Sequence, residues 1–267
     1  MPSCAKPTAC PRTRRLYSVI HREIYAREVS GCRLFKKPEG AAQILLELNS
    51  KFSATLKSSI ETDVGLCSRA ELKARAIIET AEILKSTSHL SPSAKATLCI
   101  YDEVFADTIC SVYFAGCALD KPAQMLLRRA LELGFASVYL WDLPQRFWGW
   151  KDHDKDLNFN EMLEYFSTEA YKTFLKIENP LYDGADLVDF ARARDLYRIL
   201  SNVVHGKIAN FESTLPDRFQ HNPVDWKKHL QNVVEVEDIL IDLWQARFEA
   251  VRKELYIKLP QLKMEAH

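Results

Sequence analysis

Long stretches of this chain repeat apolar residues every three or four positions and are separated by short polar or proline-bearing breaks, the period of helices that bury one face. Ile44, Leu45, Leu48, Phe52, Leu56 and Ile60 form one stripe, which predicts a helix over residues 42–60 with that face buried. Ser68 followed by Glu71 reads as a capping box, in which each side chain satisfies an orphan amide, and predicts a helix running to about residue 85. Ser91-Pro92 repeats the start signal, because Ser suits the cap and the missing amide hydrogen of Pro costs nothing in the first turn. Leu98, Tyr101, Val104, Phe105, Ile109, Val112 and Tyr113 then give a broad apolar face, placing this helix, to about residue 119, at the centre of the core. Asp120 to Pro122 breaks the chain and opens a helix carrying Met125, Leu126, Ala130, Leu133, Ala136, Val138 and Leu140, which ends near Pro144.

Residues 144–160 mix Phe147, Trp148 and Trp150 with Lys151, Asp152, His153, Asp154, Lys155 and Asp156, and read as a structured loop whose rings cover one end of a bundle. Stacking on bases is the other use of such rings. His153 among three aspartates resembles a metal cluster in composition alone, and alternating loop charges are read as solvated. Asn158 with Glu161 predicts a cap for a helix to about residue 177, closed by Asn179-Pro180. Another helix is predicted over residues 186–205, with Gly206 at its end, and a last long one over residues 224–256. With eight glycines and few strand-like alternations, the expectation is an all-α, multi-helix bundle without internal repeats.

Composition adds limits. A chain of 267 residues that is 47% hydrophobic and 27% charged folds as one large helical domain or a domain with a helical extension. The pattern divides it into a flexible basic arm over residues 1–15, a helical region over 16–90, a core over 91–257 and a tail over 258–267. Lys6, Arg12, Arg14, Arg15 and Arg22 precede the first acid, Glu23, and read as a solvated terminus. Over the whole chain 36 basic residues balance 36 acidic ones, so no overall field draws it to nucleic acid or anionic membrane, and binding would need a local patch. The seven cysteines are an odd number, and Cys99, Cys110 and Cys117 sit in apolar helical stretches, as free thiols in a reducing compartment do. Cys4 and Cys10 have no zinc-ligand spacing, so no metal and no other cofactor is expected. Residues 1–15 lack the apolar run of a secretory signal, and no run reaches the ~18 residues that cross a bilayer. A soluble, cytoplasmic protein without a membrane partner is expected.

The segment with candidate chemistry is residues 195–206, where Arg198, Asn202 and His205 fall on one face of the predicted helix. Arg198 and His205 are seven apart, within roughly 20° of two full turns, and Asn202 lies between them. Leu196, Ile199, Leu200, Val203 and Val204 occupy other faces and can hold the helix in a core. Arg grips a phosphate through a forked guanidinium, and His moves protons near neutral pH. RNA brings its own nucleophile: the 2′-hydroxyl attacks the adjacent phosphorus, Arg198 neutralises the charge that builds up, and His205 serves as general base or acid. That chemistry requires no metal.

With six residues between Arg198 and His205, the segment over residues 197–206 resembles the HEPN superfamily, helical domains that include metal-independent ribonucleases with an Arg and a His on one helix. Leu126-Leu127-Arg128-Arg129-Ala130-Leu131-Glu132 is similar to the Arg- and Glu-bearing earlier helix of a related bacterial family, and the resemblance extends over about residues 91–256. It implies a HEPN-like core, catalysis by Arg198 and His205, support from Asn202, Ser201, Tyr197, Arg128 and Glu132, and a homodimer whose two Arg–His rows line one cleft. It also implies RNA, transfer RNA included, as substrate, and a partner protein in a toxin–antitoxin or antiphage defence system. Active members often carry a polar residue directly after the Arg, where this chain has Ile199; the nearest polar residues are Ser201 and Asn202. The same residues also fit a structural role, with His205 and Gly206 ending a helix, Arg198 paired to an acid, and Arg128 paired to Glu132 one turn away. A non-catalytic helical module that binds a partner protein or RNA, or regulates a nuclease, is the alternative function.

Overall fold

The computed structural model describes residues 42–87, 90–203 and 219–265. The chain divides into two compact units, Met1–Leu46 and Glu47–His267, and of the first only residues 42–46, the start of helix α1, are described. Among the described residues all regular structure is helical. Helices α1 (Ala42–Thr62), α2 (Val64–Ser86), α3 (Pro92–Gly116) and α4 (Asp120–Asp142) are followed by three short ones, α5 (Pro144–Asp152), α6 (Phe159–Ser167) and α7 (Glu169–Glu178). Then come α8 (Phe190–Ser201), the long α9 (Pro223–Arg247), α10 (Glu249–Lys258) and the single turn α11 (Leu262–Glu265). No helix among the described residues is long and apolar enough to cross a membrane.

Several helix starts follow the sequence signals. The Ser91 hydroxyl accepts the Ala94 amide at 3.1 Å with Pro92 opening α3, and Asn158 accepts the amides of Asn160 and Glu161 at the start of α6. The Ser68 box is a correction: α2 begins earlier, at Val64, and Ser68 lies inside the helix. Glu71, the other half of that box, pairs instead with Arg75 one turn on. Residues 144–152 are helix α5 and not loop, since Pro144 opens a turn that buries Phe147 while Trp148 stays 40% exposed. The helix expected to run from Asn158 to about residue 177 breaks at Thr168, whose hydroxyl accepts the Tyr171 amide at 3.2 Å and starts α7. The last long helix also breaks, at the extended residue Phe248, without a side-chain cap.

The stripe on α1 is also corrected. Ile44 and Leu45 in the first unit and Ile60 in the second are exposed, and the positions of α1 that are buried are Thr55 and Ser59. These are polar because they bond backbone: Ser59 Oγ donates to the Gly116 carbonyl at 3.0 Å and Thr55 Oγ1 to that of Phe219 at 3.2 Å. On α3, Leu98, Tyr101 and Val104 are buried as expected, but Ile109 and Tyr113 are exposed. Asp107, Thr108 and Ser111 take the inner positions, each hydrogen-bonded, as buried polar groups must be.

Helices α3 and α4 pack along most of their length, α2 and α9 close over them, and α10 packs on α2 and α9. The main core joins Ile77 and Ile83 of α2, Tyr101 of α3, Leu127, Leu131 and Phe135 of α4, Phe166 of α6, Leu200 of α8 and Leu240 and Trp244 of α9. It therefore draws on residues on both sides of position 90, and Leu262 from beyond position 257 packs into it as well. A smaller cluster of Ala115, Ala123, Trp226 and Leu230 lies beside it.

Candidate functional site

Helix α8 carries Tyr197, Arg198 and Ser201 of the candidate residues, and α4 carries Arg128 and Glu132. Asp189 caps it by accepting the Arg192 amide at 3.0 Å, and the helix buries Ala193, Leu196, Leu200 and Ser201. Two cross-helix ties hold it. Near its start, Arg192 Nε donates to Glu235 of α9 at 2.7 Å. Near its end, Arg128 of α4 donates from Nε to Ser201 Oγ at 3.0 Å and from a terminal nitrogen to the Tyr197 hydroxyl. The Arg128 guanidinium also lies 4.8 Å from the centroid of the Tyr197 ring, whose other neighbour is Phe159, stacked at 4.2 Å and 13°. Ser201 in turn donates to the Tyr197 carbonyl at 2.7 Å. Glu132, one turn after Arg128, stands 3.8 Å from it; burial pushes the Glu132 carboxyl pKa up, and the Arg128 charge opposes that shift.

Four of the supporting residues, Arg128, Glu132, Tyr197 and Ser201, thus form one cluster that clamps the last turn of α8. Arg128 was legible as an intrahelical partner of Glu132, but its hydrogen bonds reach across to α8. The polar partner of Tyr197 and its stacking on Phe159 join positions far apart in sequence, which no local pattern signals.

Arg198 stands apart from this cluster. Its side chain is 75% exposed and pairs with Asp195 at 3.2 Å, and the neighbouring Ile199 is 45% exposed where the sequence pattern had it help hold the helix. Helix α8 starts at Phe190 and ends at Ser201, so it is shorter at both ends than expected; Asn202 closes it, its amide bonded to the Ile199 carbonyl at 3.3 Å. The structure therefore brings Arg198 and Asn202 to the end of one helix. His205 and Gly206 lie outside the described residues.

The described histidine with a serine partner at depth was not singled out by the sequence. His229 Nε2 lies 2.9 Å from Ser111 Oγ, but that hydroxyl donates to the Ala123 carbonyl at 2.8 Å, so the ring N–H donates to it. A serine whose proton is held by a carbonyl and whose histidine is itself the donor is not an activated nucleophile. Burial holds the His229 pKa down, to about 4. Because the unfolded chain then binds a proton that the folded one refuses, stability present above the unfolded value near 6.5 is lost as pH falls toward 4. Denaturant midpoints of wild type and His229→Gln should diverge over that interval, with wild type losing roughly 1 kcal/mol more per pH unit. Carboxyls that burial shifts upward, such as Asp107 and Asp242, are common to both proteins and cancel in the difference. Parallel curves would refute a neutral, buried His229.

Among the described residues no three His, Cys, Asp or Glu side chains are grouped to hold a metal ion, His153 and its aspartates included. A groove of about 1000 Å³ lies between residues 182–191 and helices α9 and α10, and none of the candidate residues lines it. The chain matches no family model, no curated protein and no solved structure.

Proposed function

We propose that this protein is a metal-independent endoribonuclease of the HEPN type, in which Arg198 grips the scissile phosphate and His205 moves the proton. The observation that carries this reading is the pairing of a fixed helix end with an open guanidinium: Arg128 anchors the last turn of α8 while Arg198 stays 75% exposed. An arginine on a fixed helix, largely exposed and engaged through a surface pair with Asp195, suits a polyanionic substrate.

In the proposed step the 2′-oxygen forms a bond to phosphorus and the 5′-oxygen leaves. A base, His205 in this reading, takes the 2′-proton, the leaving 5′-oxygen takes a proton from water, and the products are a 2′,3′-cyclic phosphate and a 5′-hydroxyl. Arg198 neutralises charge on the phosphoryl oxygens. The HEPN resemblance adds a homodimer with paired sites and a role in a toxin–antitoxin or antiphage system with a partner protein. A second reading, a non-catalytic helical module that binds RNA or protein, is favoured by the Arg198–Asp195 pair, which gives the guanidinium a structural partner on its own helix.

Cleavage of total cellular RNA and transfer RNA in the presence of chelator decides between them. Wild type should produce cyclic phosphate ends, and folded Arg198→Ala and His205→Ala should each lose at least about 100-fold in rate. No cleavage, or equal cleavage by all three proteins, sinks the nuclease reading and leaves the binding module.

A further inference from the structure

We infer that Arg194 is a second phosphate contact, gripping the RNA strand one helical turn before Arg198; the inference rests on the ribonuclease reading above. Arg194 is exposed and makes no hydrogen bond or ion pair among the described residues, whereas Arg192, two positions earlier, is tied to Glu235. The three arginines of α8 therefore divide by face. Arg192 faces α9, while Arg194 and Arg198, four apart, stand about 40° from each other on the open side.

Four residues of helix rise on the order of 6 Å, comparable to the separation of neighbouring phosphates along an RNA strand. A strand whose scissile phosphate meets Arg198 then brings an adjacent phosphate to Arg194. Exposed Ala191, one turn earlier again, is too small to block the path of the strand. The acid beside Arg194 in sequence, Asp195, is engaged with Arg198 at 3.2 Å. A guanidinium with no partner among the described residues, on the same face and at phosphate spacing, has the charge and the reach for this contact. Arg194 is a binding residue in this scheme and takes no part in moving protons.

The test uses 2′-O-methyl RNA octamers, which cannot supply the nucleophile, and measures affinity against salt for wild type, Arg194→Gln and Arg194→Lys. Loss of one phosphate contact should weaken the Gln variant roughly tenfold at low salt and flatten the slope of log K against log salt by about 0.7, with the Lys variant close to wild type. On cleavable RNA, Arg194→Gln should raise KM for an octamer, leave single-turnover rates at saturation unchanged, and leave a dinucleotide with one phosphate unaffected. Unchanged affinity and slope in Arg194→Gln would overturn the inference while the ribonuclease reading stands on wild-type cleavage. Equal rate losses on octamer and dinucleotide would overturn it too, by moving Arg194 into the chemistry. Wild type that neither binds nor cleaves RNA removes the ribonuclease reading and this contact together.

Discussion

Replacing Asp142 by Ala is expected to cost about 3–5 kcal/mol of folding stability, because it strands a buried charge. Asp142 and Arg247 expose 1% and 8% of their side chains, and the guanidinium meets Oδ1 through Nε at 2.8 Å and a terminal nitrogen at 2.7 Å. The Tyr171 hydroxyl donates to the other carboxylate oxygen at 2.7 Å, and Arg247 lies 5.1 Å from the ring centroids of both Phe174 and Phe248. The pair thus pins the ends of α4 and α9 to α7. Without the carboxylate, the cation remains between aromatic rings with no strong acceptor, and Glu178 at 3.9 Å compensates weakly. Urea unfolding of Asp142→Ala, Arg247→Met and a double Asp142→Leu, Arg247→Met variant separates the burden of an orphaned charge from the value of the pair. The double variant should recover most of the loss, since an apolar replacement of both partners removes the desolvation cost. A single-variant loss below about 1 kcal/mol would mean that water reaches the site.

Helix content and several helix starts were legible because capping chemistry is local. Ser91-Pro92 and Asn158 place acceptor and amide within three residues of each other, and the structure uses both. The Ser68–Glu71 pair misled because Ser and Glu three apart fit a helix interior as well, where Glu71 can turn to Arg75. The α1 stripe misled in part: Leu48, Phe52 and Leu56 are half-buried, but Ile44, Leu45 and Ile60 are exposed, and the fully buried positions are Thr55 and Ser59, whose hydroxyls bond backbone. At the candidate site, the spacing that put Arg198, Asn202 and His205 on one face had Ile199 help hold the helix, whereas Ile199 is exposed beside Arg198. Helix α8 ends at Ser201 with Asn202 as its cap, and the Gly206 stop signal lies outside the described residues. The Arg128 clamp needed the fold, since it joins positions 69 and 73 residues apart.

Trp244→Ala should be of similar severity, about 3–5 kcal/mol, and should report on a different kind of stability. Trp244 is fully buried in the middle of the core, its ring 5.0 Å from that of Tyr101. Its indole N–H donates to Ser137 Oγ at 3.0 Å, and that hydroxyl donates to the Gly134 carbonyl at 2.7 Å, so the indole is oriented by a chain of bonds into α4. One turn before Trp244 on α9, Leu240 sits where a side chain at Gly134 would be: a Cβ there would lie 2.3 Å from Leu240 Cδ2. The glycine lets α4 and α9 approach, and the approach is what puts the indole within reach of Ser137. Trp244→Phe keeps an aromatic ring against Tyr101 but removes the N–H donor and part of the volume, and should cost about 1–2 kcal/mol. Thermal or urea unfolding orders the three proteins, and equal losses in Ala and Phe would place the whole effect on the hydrogen bond. Helix α8 is tied to α9 through Arg192 and Glu235, and under the ribonuclease reading proposed above Trp244→Ala is predicted to lower RNA affinity only under conditions where it also lowers the folded fraction. A fall in affinity while the variant remains fully folded would instead mean that α8 responds to core packing within the native state.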